Sequence, residues 1–157
     1  MDTRNSTAMK QDERELVITR VFDAPVELVW KCWTEGEHMR HWSAPRGFKI
    51  SGQGEVRVGG AWRSCMLHED GTVLWLGGVY REVVPNKRLV FTHAWDGADG
   101  KPGHETLVTV LFEEQGGKTK MVFRQSGFDS TGSRDGHEGG WKECLDKLGE
   151  YLATLKN

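Results

Sequence analysis

WKECLDKLGEYLATL, residues 141–155, is the stretch on which the architecture turns. Trp141, Cys144, Leu145, Leu148, Tyr151, Leu152 and Leu155 recur at spacings of three and four, which gathers them on one side of a helix of roughly four turns. Lys142, Glu143, Asp146, Lys147 and Glu150 occupy the rest of its circumference. A helix with one apolar stripe has to bury that stripe, so the chain before it must supply a large apolar surface. The segment Gly127 to Gly140 leading into it is rich in glycine, serine and acidic residues and reads as a loop, a movable gate at the helix entrance.

The surface is a sheet. From Phe48 to Ser126 short β-rich runs are punctuated by Gly52 to Gly54, Gly59-Gly60, Asp70-Gly71, Pro85-Asn86, Asp96 to Gly103 and Gly116-Gly117. Short connections between consecutive strands give an antiparallel meander. Leu89, Phe91, His93 and Trp95 share one strand face, Thr106, Val108, Val110 and Phe112 another, and Met121, Phe123 and Gln125 a third. These bulkier, more aromatic sets are assigned inward. Glu15 to Phe22 alternates as a first strand, and Asp23-Ala24-Pro25 reads as an N-cap and an early helical proline. Two short helices follow and end before Pro45. The order is therefore strand, helix pair, about six strands, long helix: an α+β fold with a curved antiparallel sheet of six or seven strands around the C-terminal helix.

The chain of 157 residues fits one domain, residues 14–157, with residues 1–13 a polar, disordered lead-in. A net charge of -2 provides no positive field for nucleic acid or anionic membrane, and no apolar run spans a bilayer. Three cysteines without C-x-x-C spacing fit neither a disulfide framework nor a zinc site, and point to the cytoplasm. Seven tryptophans and twenty glycines suit a bent sheet with a hollow.

Several segments together resemble the family of homologues of the activator of heat-shock-protein-90 ATPase, within the START and Bet v 1-like (SRPBCC) superfamily of helix-grip folds. They are FDAPVELVWKCWTE (22–35), HWSAPRGFKI (41–50), VGGAWRSCM (58–66), GVYREVVPNKRLVFTHAW (78–95), ETLVTVLFEEQGGKTKMVF (105–123), QSGF (125–128) and EGGWKECLDKLGEYL (138–152). The resemblance implies a cavity between sheet and terminal helix, used by superfamily members to bind hydrophobic small molecules. Some members are cyclases. The co-chaperones behind the family's name carry additional domains, whereas this length accommodates one.

Residues expected at such a cavity are Trp33, Trp42, Trp62, Ser64, Met66, Tyr80, Phe91, His93, Trp95, Thr106, Val108, Phe123, Gln125, Trp141, Leu145 and Leu148, with Trp75 and Cys65 as further candidates. Glu82, two residues beyond Tyr80, is expected to face inward with it. His38 and His41 share a helical face without a third ligand, so no metal is expected, and no cofactor motif or catalytic constellation is recognisable. Three functions remain open: binding of an apolar or aromatic small molecule, by a monomer or homodimer; a cyclase- or hydratase-like enzyme using His93, Glu82 or Gln125; and a co-chaperone-like module presenting Arg81, Lys87 and Arg88.

Overall fold

The computed structural model describes residues 10–155. Seven strands form one antiparallel sheet: β1 (Glu15–Phe22), β2 (Phe48–Gly54), β3 (Ala61–His68), β4 (Val73–Val84), β5 (Arg88–Trp95), β6 (Thr106–Gln115) and β7 (Lys118–Ser126). Their order across the sheet is β1-β7-β6-β5-β4-β3-β2, so the first strand closes onto the last. Helices α1 (Val26–Thr34) and α2 (Gly36–Met39) follow β1, and α3 (Thr131–Leu155) ends the chain. This is the helix-grip arrangement expected from the element order, with the sheet curled around α3.

Alternation decides the inner face. Leu16, Ile18 and Phe22 of β1 are buried, as are Val108, Val110 and Phe112 of β6 and Met121 and Phe123 of β7. They join Cys144, Leu145, Leu148 and Leu152 of α3 and Val29, Cys32 and Trp33 of α1 in one core. Gly116 and Gly117, both at positive φ, make the tight turn between β6 and β7, a conformation that side chains with a Cβ resist.

Three expectations are corrected. The gate over Gly127 to Gly140 is not a loop throughout: α3 already begins at Thr131. The Ser130 hydroxyl accepts the Ser133 N–H at 3.0 Å and its carbonyl accepts the Arg134 N–H, so an N-cap outweighs the low helix propensity of four nearby glycines. Phe128, 1% exposed, fixes the chain just ahead of this cap.

Gly52 and Gly54 do not turn but lie inside β2, where a Cβ on Gly52 would stand 2.6 Å from Ser64 Oγ; they permit close strand approach. Pro25, not Asp23, occupies the N-cap position of α1. Of the expected disordered lead-in, residues 1–9 lie outside the described residues, whereas Gln11–Arg14 form a 3-10 turn in which the Glu13 carboxylate accepts the Lys10 N–H.

Leu148 is completely buried, whereas Val21 on the outer face of β1 is 58% exposed. Leu148→Ala is expected to lower the unfolding free energy by about 3 kcal/mol, and Val21→Ala by less than about 0.5 kcal/mol, in urea titrations.

Candidate functional site

Between sheet and helix the core gives way to a cavity of about 410 Å³. Strand periodicity builds one side, with Trp62, Ser64 and Met66 on β3 and Phe91, His93 and Trp95 on β5. Trp33 of α1, and Met39, Trp42, Ser43 and Pro45 from α2 and the turn beyond it, close one end. Among the described residues, no Asp, Glu, Lys or Arg lines the space.

The helix side is built from absence. Gly132, Gly136 and Gly140 recur every four residues and face the cavity, alternating along α3 with Ser133, His137 and Trp141. A Cβ on Gly132 or Gly136 would meet nothing within 4 Å, and one on Gly140 would touch only Pro45 at 3.7 Å. The helix thus exposes bare backbone where its C-terminal half carries leucines.

Hydrogen bonds hold the aromatic walls. Trp42 donates to the Cys32 carbonyl at 2.9 Å and Trp62 to the Thr92 carbonyl at 3.1 Å. Trp141 donates to Gln125 Oε1 at 2.9 Å, Gln125 Nε2 to Thr106 Oγ1 at 2.9 Å, and Thr106 to the His93 carbonyl at 3.2 Å, a chain running from helix to strand. Trp95 Nε1 donates to His137 Nε2 at 2.9 Å. His137 Nδ1 lies 2.7 Å from the Ser133 carbonyl, so the ring carries its proton on Nδ1 and donates it there. The buried Trp33 indole N–H finds no partner among the described residues.

Burial also sets the chemistry. His93 is pushed down to about 3, first by burial and then by neighbouring His137, so its imidazole is neutral at physiological pH. Burial raises Tyr80 to about 12, and Cys144 also to about 12, which leaves a protonated phenol and an unreactive thiol.

Of the residues expected here, Trp33, Trp42, Trp62, Ser64, Met66, Tyr80, Phe91, His93, Trp95 and Trp141 line the cavity. Thr106, Val108, Phe123, Gln125, Leu145 and Leu148 lie behind the wall in buried positions. Met39, Ser43, Pro45, Ile50, Leu76, Ser133, His137, Cys144 and the three glycines complete the lining without having been anticipated. Stepping the α3 stripe back from Trp141 by four reaches His137, a signal present in the sequence but hidden by the loop reading.

Trp75 is 45% exposed on the other face, beneath the Arg63 guanidinium at 5.1 Å. Cys65, between Ser64 and Met66, does not line the cavity. Glu82 is exposed and paired with Arg88, because a bulge in β4 after Tyr80 inserts one residue and reverses the alternation. His104 bonds the Gly127 carbonyl at 2.5 Å. His38 bonds the Tyr151 hydroxyl at 2.6 Å and His41 stacks on the same ring, and no metal-binding cluster occurs among the described residues.

A curled seven-stranded sheet gripping a terminal helix, hollow on its concave side, defines a START and Bet v 1-like domain. Residues 23–153 match the family described as Activator of Hsp90 ATPase homolog 1-like protein, and the chain belongs to that family. Solved structures agree. The AHSA1 protein from Silicibacter pomeroyi superposes with a TM-score of 0.82 at 25% identity, covering 89% of this chain and 98% of that one. A protein from Rhizobium leguminosarum gives 0.75 at 29% identity, covering 89% and 94%. One from Chromobacterium violaceum gives 0.82 at 24%, covering 88% and 96%. No curated protein matches. No helix among the described residues is long and apolar enough to cross a membrane.

Two outcomes are expected. Gly136→Ala should raise stability by about 0.5–1 kcal/mol in thermal unfolding, since the methyl meets open space and the helix gains propensity. Between the ordinary histidine value of 6.5 and about 3, the unfolded chain binds a proton that folded His93 refuses. Stability should therefore decline as pH falls through that window, and His93→Phe should flatten the decline in acid titrations followed by circular dichroism.

Proposed function

We propose that this protein binds an uncharged hydrophobic or aromatic small molecule in the cavity between sheet and α3. The observation that carries this reading is the composition of the wall: five tryptophans, with Phe91 and Tyr80, around about 410 Å³, and no Asp, Glu, Lys or Arg among the described residues. That volume lies within the range of small-molecule sites, and flat indole walls suit rings and alkyl chains. The three cysteines are all free, in keeping with a cytoplasmic setting.

An enzymatic role draws less support. Catalysis by His93 calls for a second proton-handling group, whereas Glu82 points to solvent, Gln125 is engaged by Trp141 and Thr106, and His137 is engaged by Trp95 and the Ser133 carbonyl. The basic patch suggested for a chaperone partner is reduced, since Arg88 is paired with Glu82.

Titration with a neutral apolar fluorophore such as phenylnaphthylamine should quench tryptophan emission saturably, at one site per chain. Met66→Trp, which narrows the cavity from β3, should weaken binding while the thermal midpoint stays near that of the parent. A linear signal that Met66→Trp leaves intact would sink the proposal.

A further inference from the structure

His93 is 5% exposed, and its ring is surrounded by Trp62, Trp95, His137 and Trp141 at centroid distances of 5.5–6.3 Å. Its backbone carbonyl is engaged by Thr106, and the imidazole meets the backbone of its own residue but makes no hydrogen bond to another described residue. A polar ring in an apolar enclosure is costly unless something meets its nitrogens, and phenylalanine would fill the same volume without that cost. His137, by contrast, has both nitrogens satisfied, and four of the five wall indoles have their N–H groups bonded. His93 thus lines the cavity with one ring nitrogen that no other described side chain engages.

Its position gives it a geometric role. His137 and Trp141, which flank His93, alternate with Gly136 and Gly140, so bare helix backbone lies beside the imidazole. A flat molecule laid on that backbone would bring its edge to the His93 imidazole. The neutral imidazole, with one nitrogen turned to its own backbone, keeps the other for a ligand, which suits an uncharged oxygen function. It cannot balance a carboxylate, and among the described residues the wall provides no lysine or arginine to do so and no carboxylate for an ammonium.

Resting on the binding function above, we propose that His93 is the specificity-determining residue of the cavity, hydrogen-bonding an uncharged hydroxyl or carbonyl oxygen of a flat ligand seated against Gly136 and Gly140. Size selection belongs to the aromatic walls and the glycine ridge, and polarity selection to His93. A ligand of this class is an aromatic or fused-ring molecule with a neutral oxygen function at one edge.

Four probes of one ring system test this by calorimetry at pH 7 on the full chain: naphthalene, naphthol, naphthoate and naphthyltrimethylammonium. Naphthol is expected to bind roughly tenfold more tightly than naphthalene, the scale of one hydrogen bond, and both charged probes more weakly than naphthol. In His93→Phe the naphthol preference should collapse while naphthalene binding persists, and His93→Gln should restore most of it. Gly136→Leu should weaken naphthalene and naphthol alike and leave their ratio unchanged. Naphthalene binding without a naphthol preference, a preference that survives His93→Phe, or tighter binding of either charged probe would overturn the role of His93 while leaving the binding function standing. Failure of all four probes to bind would remove both. If His93→Phe does not fold, the ranking of the four probes on the unsubstituted protein decides the matter.

Discussion

The hydrogen-bond chain from Trp141 through Gln125 and Thr106 to the His93 carbonyl joins α3 to β7, β6 and β5 at the level where solid core becomes hollow. Each of these polar groups would be costly to bury alone, and together they satisfy one another. Toward the C-terminus from that level, Leu145, Leu148 and Leu152 fill the space against the sheet. Toward the N-terminus the glycine ridge leaves it open. Without this polar junction the indole of Trp141 would lack a fixed orientation, and the boundary between packing and cavity would blur.

The two halves of α3 are secured differently. The C-terminal half is tied by Arg46 to Glu150, by Lys147 to the Ala44 carbonyl and by Arg20 to Asp146, on top of its buried leucines. The N-terminal half depends on the Ser130 cap, on Phe128, on the bond from Trp95 to His137 and, at its inner end, on Trp141 bonded to Gln125. Exposed ion pairs contribute modestly, so most of the difference lies in apolar contact, which the glycines forgo. Mobility within the fold is accordingly expected to concentrate where α3 meets the cavity rather than along the whole helix.

Much of this was legible in the residues. The period of two in Leu89, Phe91, His93 and Trp95 places the β5 face unambiguously, because every inward residue is bulky. The spacing of Leu145, Leu148 and Leu152 does the same for α3. What escaped was local. One additional residue in β4 leaves no compositional trace, yet it carries Glu82 from the expected interior to solvent. The helical state of residues 131–140 depends on a cap and on tertiary contacts that override propensity, so glycine content alone misleads there. Gln125 and Thr106 were recognisable as inward polar residues, but nothing in their spacing distinguishes a wall from its supporting layer. That distinction depends on the depth of packing behind each strand.

The glycine ridge also bears on how such a fold diversifies. Because Gly132 and Gly136 face open space, small side chains fit there without displacing the backbone, and each would subtract a defined increment from the hollow. Shape at this site is therefore adjustable in discrete steps by single-residue replacement, while the aromatic walls and the leucine-packed half of the helix stay as they are. A scaffold of this kind separates the residues that keep it folded from those that set what it accommodates, so descendants can acquire new ligands without first passing through an unstable intermediate.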